Sequence, residues 1–260
     1  MKYYVVADVH SYYDELITAL KNNGFFEEKA PYKLIVCGDV LDRGPKPKEI
    51  TAFLIDLLKQ EKLILIKGNH EYLLDHLLDN LDLCVTNRKA VSHHYHNGTV
   101  NTVLTMTNST EIDLTVNPTR IANAFKNTDF YKILLPSAID YFETDNYVFV
   151  HGYIPCKTER TIWGINPKRY NPNWRNATRE EWYEASWING MQAWANGIKE
   201  DKKTIVCGHY KTSFGHANYE GRGSVDGAKQ IFEPFIKDGI MAIDGTTKLS
   251  GIVNCIVLED

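Results

Sequence analysis

The sequence has no paired cysteines. Its five (Cys37, Cys84, Cys156, Cys207 and Cys255) form an odd set without CxxC spacing, which argues against a disulfide framework and against a thiolate zinc site. Cys37 and Cys207 each end an apolar run, where a reduced thiol behaves as a small hydrophobe, so the cysteines are expected in the core. No apolar run approaches the roughly 18 residues of a membrane span. An acid already at Asp8 comes too soon for a secretory signal. A basic surplus is also missing, since 29 Lys+Arg face 33 Asp+Glu for a formal charge of −4, which argues against bulk nucleic-acid binding. These absences point to the cytoplasm, with no membrane association and no stable nucleic-acid complex.

What is present suits a folded chain. At 260 residues, 43% hydrophobic and 24% charged, it can bury a sizeable core, and disorder or low complexity is excluded. Neither an internal repeat nor a linker-like stretch interrupts it, so one domain over residues 1–260 is expected.

The first half alternates strand and helix patterns. Strands are expected at Lys2–Ala7, Lys33–Cys37 and Leu63–Ile66. Helices are expected at Tyr12–Asn22, from Pro45 or Pro47 to Gln60, and at Glu71–Leu81. This βαβαβ start implies a largely parallel α/β layer. Further on, Ala138–Glu143 and Tyr147–Val150 flank the hairpin signal Asp145-Asn146. A loop is expected from Pro155 to Ala177, then a helix over Thr178–Asn196 capped by Thr178 and Glu181. Thr204–Cys207 reads as a strand, and Ile240–Ile243 and Ile252–Leu258 as a closing β pair.

The chemistry lies where the apolar runs end. Val5-Val6-Ala7 gives way to Asp8-Val9-His10, Cys37-Gly38 to Asp39, Gly68 to Asn69-His70-Glu71, Val150 to His151-Gly152, and Cys207-Gly208 to His209. In an α/β sheet, ligands gather beyond the carboxyl ends of the strands. Singly, such an Asp or Asn is a turn or a helix cap, but independent caps have no reason to fall at five strand ends. Oxygen and imidazole donors without thiolate suit Mn, Fe, Zn or Mg.

Asp8-Val9-His10, Gly38-Asp39-Val40-Leu41-Asp42-Arg43-Gly44, Gly68-Asn69-His70-Glu71, His151-Gly152 and Gly208-His209 together resemble the calcineurin-like metallophosphoesterases. The two intact central blocks resemble their phosphoprotein phosphatase branch, which includes bacterial and phage serine/threonine phosphatases and symmetrical diadenosine tetraphosphatases. The ending from Ile243-Asp244-Gly245 onward also looks like the bacterial branch. The resemblance implies a four-layer α/β/β/α sandwich with two mixed sheets. It also implies two divalent metals, manganese first, with Asp8 and His10 on one, Asp39 bridging, and Asn69, His151 and His209 on the other. A hydroxide bridging the metals would attack phosphorus. His70 would protonate the leaving group, Asp42 would fix His70, and Arg43 would grip the phosphate beside Asn69.

Three features depart from or exceed that pattern. Ser11 and Tyr153 stand where the family usually has glycine, and Tyr153 is expected to narrow the substrate cleft or stack on a leaving group. The family's second phosphate-binding arginine corresponds to Arg160, Arg169, Arg175 or Arg179, among which spacing does not choose. The tract His93-His94-Tyr95-His96 has the composition of a metal site, yet the Asn97-Gly98-Thr99 after it looks like a family turn, so a surface or substrate-facing loop is expected. Lys157–Arg175 mixes Lys168, Arg169 and Arg175 with Trp163, Tyr170 and Trp174, either to stack bases and hold phosphates or as a solvated loop packed on the core. The first functional reading is a phosphatase acting on phosphoserine or phosphothreonine proteins. A dinucleoside polyphosphate hydrolase and a catalytically inactive binding module are the alternatives.

Overall fold

The computed structural model describes residues 1–260 except Trp163. Strands β1 (Lys2–Val6), β2 (Tyr32–Cys37) and β3 (Leu63–Ile66) alternate with helices α1 (Tyr13–Asn22) and α2 (Pro47–Lys59), and α3 (Asn69–Asp79) follows. The three strands pair in parallel, as the βαβαβ reading expects. Five short helices come next: α4 (Leu83–Thr86), α5 (Ser92–Asn97), α6 (Thr99–Met106), α7 (Glu111–Val116) and α8 (Pro118–Lys126).

The second half supplies β4 (Phe142–Glu143), β5 (Tyr147–Phe149), β6 (Lys157–Thr161), β7 (Gly164–Arg169), α9 (Arg179–Ala185), α10 (Gly190–Ala195) and β8 (Thr204–Cys207). After them come α11 (Ser213–Tyr219), β9 (Phe235–Lys237), β10 (Ile240–Ala242), α12 (Thr247–Ser250) and β11 (Cys255–Glu259). One mixed sheet runs β11-β1-β2-β3 and the other β4-β5-β8-β10-β9.

Alternation along the strands builds the layers, because successive side chains point to opposite faces. Tyr3, Val5, Ile35 and Cys37 pack with Phe149, Val206 and Ile243 in a core between the two sheets. Tyr4, Val6, Leu34 and Val36 point the other way, onto Leu16, Leu20, Ile50 and Leu54 of α1 and α2. Val148, Ile205 and Ile240 likewise meet Trp182, Ala185 and Met191 of α9 and α10. The result is the α/β/β/α order, and it brings the carboxyl ends of both sheets' parallel strands together.

Several local expectations need correction. The expected closing β pair does not form: β10 lies parallel to β8, whereas β11 pairs antiparallel with β1 at the opposite end of the chain. The expected helix over residues 178–196 is two helices. Thr178 and Glu181 do form the capping box of the first, but the Asn189 side chain accepts the N–H of Gln192 and starts a second. The expected loop over residues 155–177 contains the antiparallel hairpin β6–β7. The His93–His96 tract is helical, in α5. Cys37, Cys84 and Cys207 are buried, but Cys156 and Cys255 are only partly so. Among the described residues, no helix is long and apolar enough to cross a membrane.

Candidate metal centre

The loops that leave the strands are bent unusually hard. Eleven described non-glycine residues have positive φ, and seven of them (Asp8, His10, Ser11, Asp39, Asp42, Arg43 and His209) sit in the loops that end strands at the site. Each such residue costs about 1–3 kcal/mol and persists only where its surroundings over-determine it. Here Glu71 does much of that fixing. Its carboxylate accepts the N–H groups of Gly68 at 2.7 Å, Val40 at 3.0 Å and Asp39 at 3.1 Å, tying the β2 and β3 loops together. A side chain at Gly68 would overlap Asp39 Oδ1, and one at Gly208 would overlap the Asp8 carboxylate, so both glycines are required for close approach.

Asp39 sits at the centre. One donor atom each from His10, Asp39 and His70 lie within 4.8 Å of one another, and so do those of Asp39, His151 and His209. Its Oδ2 is 3.7 Å from His10 Nε2, and its Oδ1 is 3.3 Å from His151 Nε2. Burial raises the Asp39 carboxyl, but His151, His70, His10 and His209 outweigh it and hold it below its usual range. Burial, reinforced by His151, pushes His209 down to about 3. Burial likewise holds His10 well below its ordinary value. Asp8 is raised well above its own, by burial and then by Asp244, and its Oδ2 accepts the backbone N–H of His209 at 2.8 Å.

This donor set fits cations. His10 Nδ1–H donates to Leu41 O at 2.9 Å and His151 Nδ1–H to Cys37 O at 2.8 Å, which leaves both Nε2 lone pairs aimed inward. His151 Nε2 then faces Asn69 Oδ1 at 2.8 Å as well as Asp39. Acceptors converging on acceptors call for a positive charge between them, and hard oxygen with borderline imidazole suits a divalent metal.

Beside the donors, His70 Nδ1–H donates to Asp42 Oδ2 at 2.6 Å, and the Thr99 hydroxyl donates to the same oxygen at 2.8 Å. The exposed Arg43 places Nη2 3.1 Å from His70 Nε2. Burial lowers the His70 pKa, but Asp39 and Asp42 outweigh it and the net direction is upward.

Every expected ligand and Asp42, His70 and Arg43 therefore come together, while Tyr153 does not. Tyr153 is buried in the core that packs β5, β8 and β10 on α9 and α10, and its hydroxyl donates to Ile198 O at 2.7 Å, so its ring neither narrows a cleft nor stacks on a leaving group. Two of the candidate arginines are engaged elsewhere: Arg160 with Glu184, and Arg175 with Glu143 and Glu200. Arg179 lies on the Tyr72 and Asp140 side of the site, close enough for its charge to reach both groups. Trp174 is fully buried, its Nε1–H donating to Glu200, and Lys168 pairs with Glu159. The base-stacking reading of residues 157–175 therefore loses these side chains, and Trp163 lies outside the described residues.

Two site residues were not singled out from sequence. Glu71 is one. Asp244 is the other, buried beside Asp8 with Oδ1 accepting the N–H of Thr246 at 2.7 Å. It ends the apolar run Ile240–Ile243, the same signal that marks the other five strand ends. The structure also shows an aromatic wall at the site: Trp187 packs on His209 at 5.9 Å, and Tyr183 bridges Trp187 to Tyr72.

Known proteins share parts of this sequence and its fold. A stretch of 76 residues is 32% identical to an asymmetrical bis(5'-nucleosyl)-tetraphosphatase of Anoxybacillus flavithermus, covering 27% of this chain and 31% of that protein. Another of 71 residues is 37% identical to the symmetrical enzyme of Buchnera aphidicola, covering 27% and 24%. The matches thus span less than a third of these relatives' length. A cold-active protein tyrosine phosphatase superposes with a TM-score of 0.51 over 100% of this chain and 75% of its own, at 14% identity, a likeness of fold alone. The sequence profile of the calcineurin-like phosphoesterases matches residues 1–239, and the chain belongs to that family.

Proposed function

We propose that the chain is a metal-dependent phosphoester hydrolase acting first on phosphomonoesters of serine and threonine in proteins. The observation that supports it most is Asp39, one buried carboxylate shared by two donor groups drawn from both sheets. Two divalent metals, manganese first and Fe, Zn or Mg otherwise, held by Asp8, His10, Asp39, Asn69, His151 and His209, would neutralise phosphoryl oxygens and bring the pKa of water near neutrality. Arg43, exposed and beside His70, offers a planar fork to two phosphate oxygens. When its N–H groups turn to the phosphate, His70 Nε2 is released. Asp42 holds the ring through Nδ1–H and favours the protonated form, so that Nε2–H can pass its proton to the departing oxygen. An acid placed there helps an alkoxide most, because an alkoxide is a poor leaving group. This favours a serine or threonine ester.

Dinucleoside polyphosphate hydrolysis is the second reading. The aromatic wall of Trp187, Tyr183 and Tyr72 offers a surface for a base, and the curated relatives are tetraphosphatases. A cytoplasmic setting suits five free thiols. Assay of a phosphoseryl peptide against diadenosine tetraphosphate, with Mn²⁺, separates the readings. The first expects the higher kcat/KM on the peptide. A preference of about a hundredfold for the dinucleotide, or about 2.7 kcal/mol, would replace it with the second.

A further inference from the structure

Outside the catalytic cleft, three imidazoles meet where the last turn of α3 faces the start of α5. One ring nitrogen from each of His76, His93 and His94 lies within 4.8 Å of the others. His76 Nδ1 is 2.9 Å from His94 Nε2. The ring centroids of His93 and His94 are 4.0 Å apart, and those of His76 and His94 are 5.2 Å apart and stacked. His76 and His93 are exposed while His94 is fully buried, so the group opens to solvent on one side and is anchored in protein on the other.

Hydrogen bonding alone leaves this arrangement incomplete. One of the two facing nitrogens of His76 and His94 can donate to the other, but His94 Nδ1 then has no partner. A buried polar atom without a partner costs about 1–3 kcal/mol. Among the described residues, no carboxylate lies within ion-pair distance of any of the three rings. Burial pushes His94 down to about 4 and lowers His93 as well. The three rings thus bring one nitrogen each to a common point, with no carboxylate among the described residues beside it to hold a protonated imidazole.

We infer that His76, His93 and His94 form a third metal site, separate from the Asp39 centre, which takes a borderline transition-metal ion such as Zn²⁺. Three imidazoles without carboxylate or thiolate suit zinc, copper or nickel and not Mg²⁺ or Ca²⁺. The exposed side leaves a fourth position for water. The site has a structural consequence. Helix α3 begins with Asn69 and His70, and α5 leads through Gly98 to Thr99, whose hydroxyl holds Asp42. An ion there would clamp α3, which carries His70, to α5, which leads to the Thr99 that holds Asp42.

The test uses the full chain stripped of metal and reloaded with Zn²⁺, counting bound equivalents by equilibrium dialysis and following Tm. The proteins are wild type, the double variant His76→Gln/His93→Gln, and Asp39→Asn. Both substituted histidines are exposed, so the double variant keeps its fold and its Mn²⁺-dependent hydrolysis. It should bind one zinc equivalent fewer than wild type and lose part of the zinc-induced rise in Tm, whereas Asp39→Asn keeps that equivalent. Addition of Co²⁺ to Asp39→Asn should give visible d–d absorption that is missing when the two histidine substitutions are added. Equal zinc counts and equal Tm rises in wild type and the double variant would overturn the site. That outcome says nothing against the Asp39 centre, which the Asp39→Asn protein tests separately.

Discussion

His70 Nδ1 lies 2.6 Å from Asp42 Oδ2, although 28 residues separate the two in sequence. The contact fixes the ring's tautomer and aims Nε2 at the donors around Asp39. If His70 supplies the leaving-group proton, His70→Asn should lower kcat on an alkyl phosphomonoester by roughly 10²–10⁴-fold. On p-nitrophenyl phosphate, whose phenolate leaves readily, the loss should be far smaller. Equal losses on the two substrates would assign His70 another role.

Thr99 acts through Asp42. Its buried hydroxyl donates to the same carboxylate oxygen that holds His70. Thr99→Val keeps the shape and removes the donor, which is worth about 1 kcal/mol, so kcat should fall about fivefold while KM stays near its wild-type value. Thr99→Ser should restore kcat. Steady-state kinetics on an alkyl phosphomonoester, whose leaving group needs the His70 proton, reads both variants.

Gly68 has no room for a side chain, because a Cβ there meets Asp39 Oδ1 and the Asp39 backbone nitrogen. Gly68→Ala should therefore lose tight metal binding before it loses its fold. The check is metal content after gel filtration, set beside the circular dichroism spectrum. A variant with full metal content would show that the β2 and β3 loops give way easily.

A pH effect on stability is expected at Glu143. Glu143 accepts from Arg175 at 2.6 and 2.8 Å and from Lys203 at 2.5 Å. Arg175 first, and then Lys203, overcome a modest burial penalty and hold Glu143 at about 2, against an ordinary 4.5. A carboxyl depressed in the folded state stabilises fully above its unfolded value, and the contribution fades as pH falls from about 5 toward 2. The group is partly solvated, so the full effect is discounted to about 1–2 kcal/mol. Urea unfolding of Glu143→Gln should show that loss at pH 7 and a difference from wild type that shrinks below pH 5.

How much of this was legible follows from where each signal sits. The parallel strands of the first sheet are continuous apolar runs, and Asp8, Asp39 and Asn69 directly follow them, so local sequence placed both sheet and donors. The second sheet was harder. Tyr147–Val150, Thr204–Cys207 and Ile240–Ile243 read as strands and became β5, β8 and β10, but β9 spans only three residues and carries no pattern that marks it. The pairing of β11 with β1 joins the chain's two ends, which no local pattern reports. Tyr153 misled because adjacency to His151-Gly152 says nothing about direction, and the chain turns that ring into the second core. Spacing did not choose among the four arginines, because the glutamates that engage Arg160 and Arg175 come from other segments. Asp244 was readable by the same rule as its five counterparts.

The shared carboxylate of Asp39 is the centre of the account, and p-nitrophenyl phosphate hydrolysis by wild type and Asp39→Asn, with and without Mn²⁺, tests it most directly. Wild-type turnover should require the metal and should all but vanish in Asp39→Asn. Metal-independent turnover, or equal turnover in the two proteins, would contradict it. A metal-loaded wild type inactive on every phosphoester would point instead to a binding module.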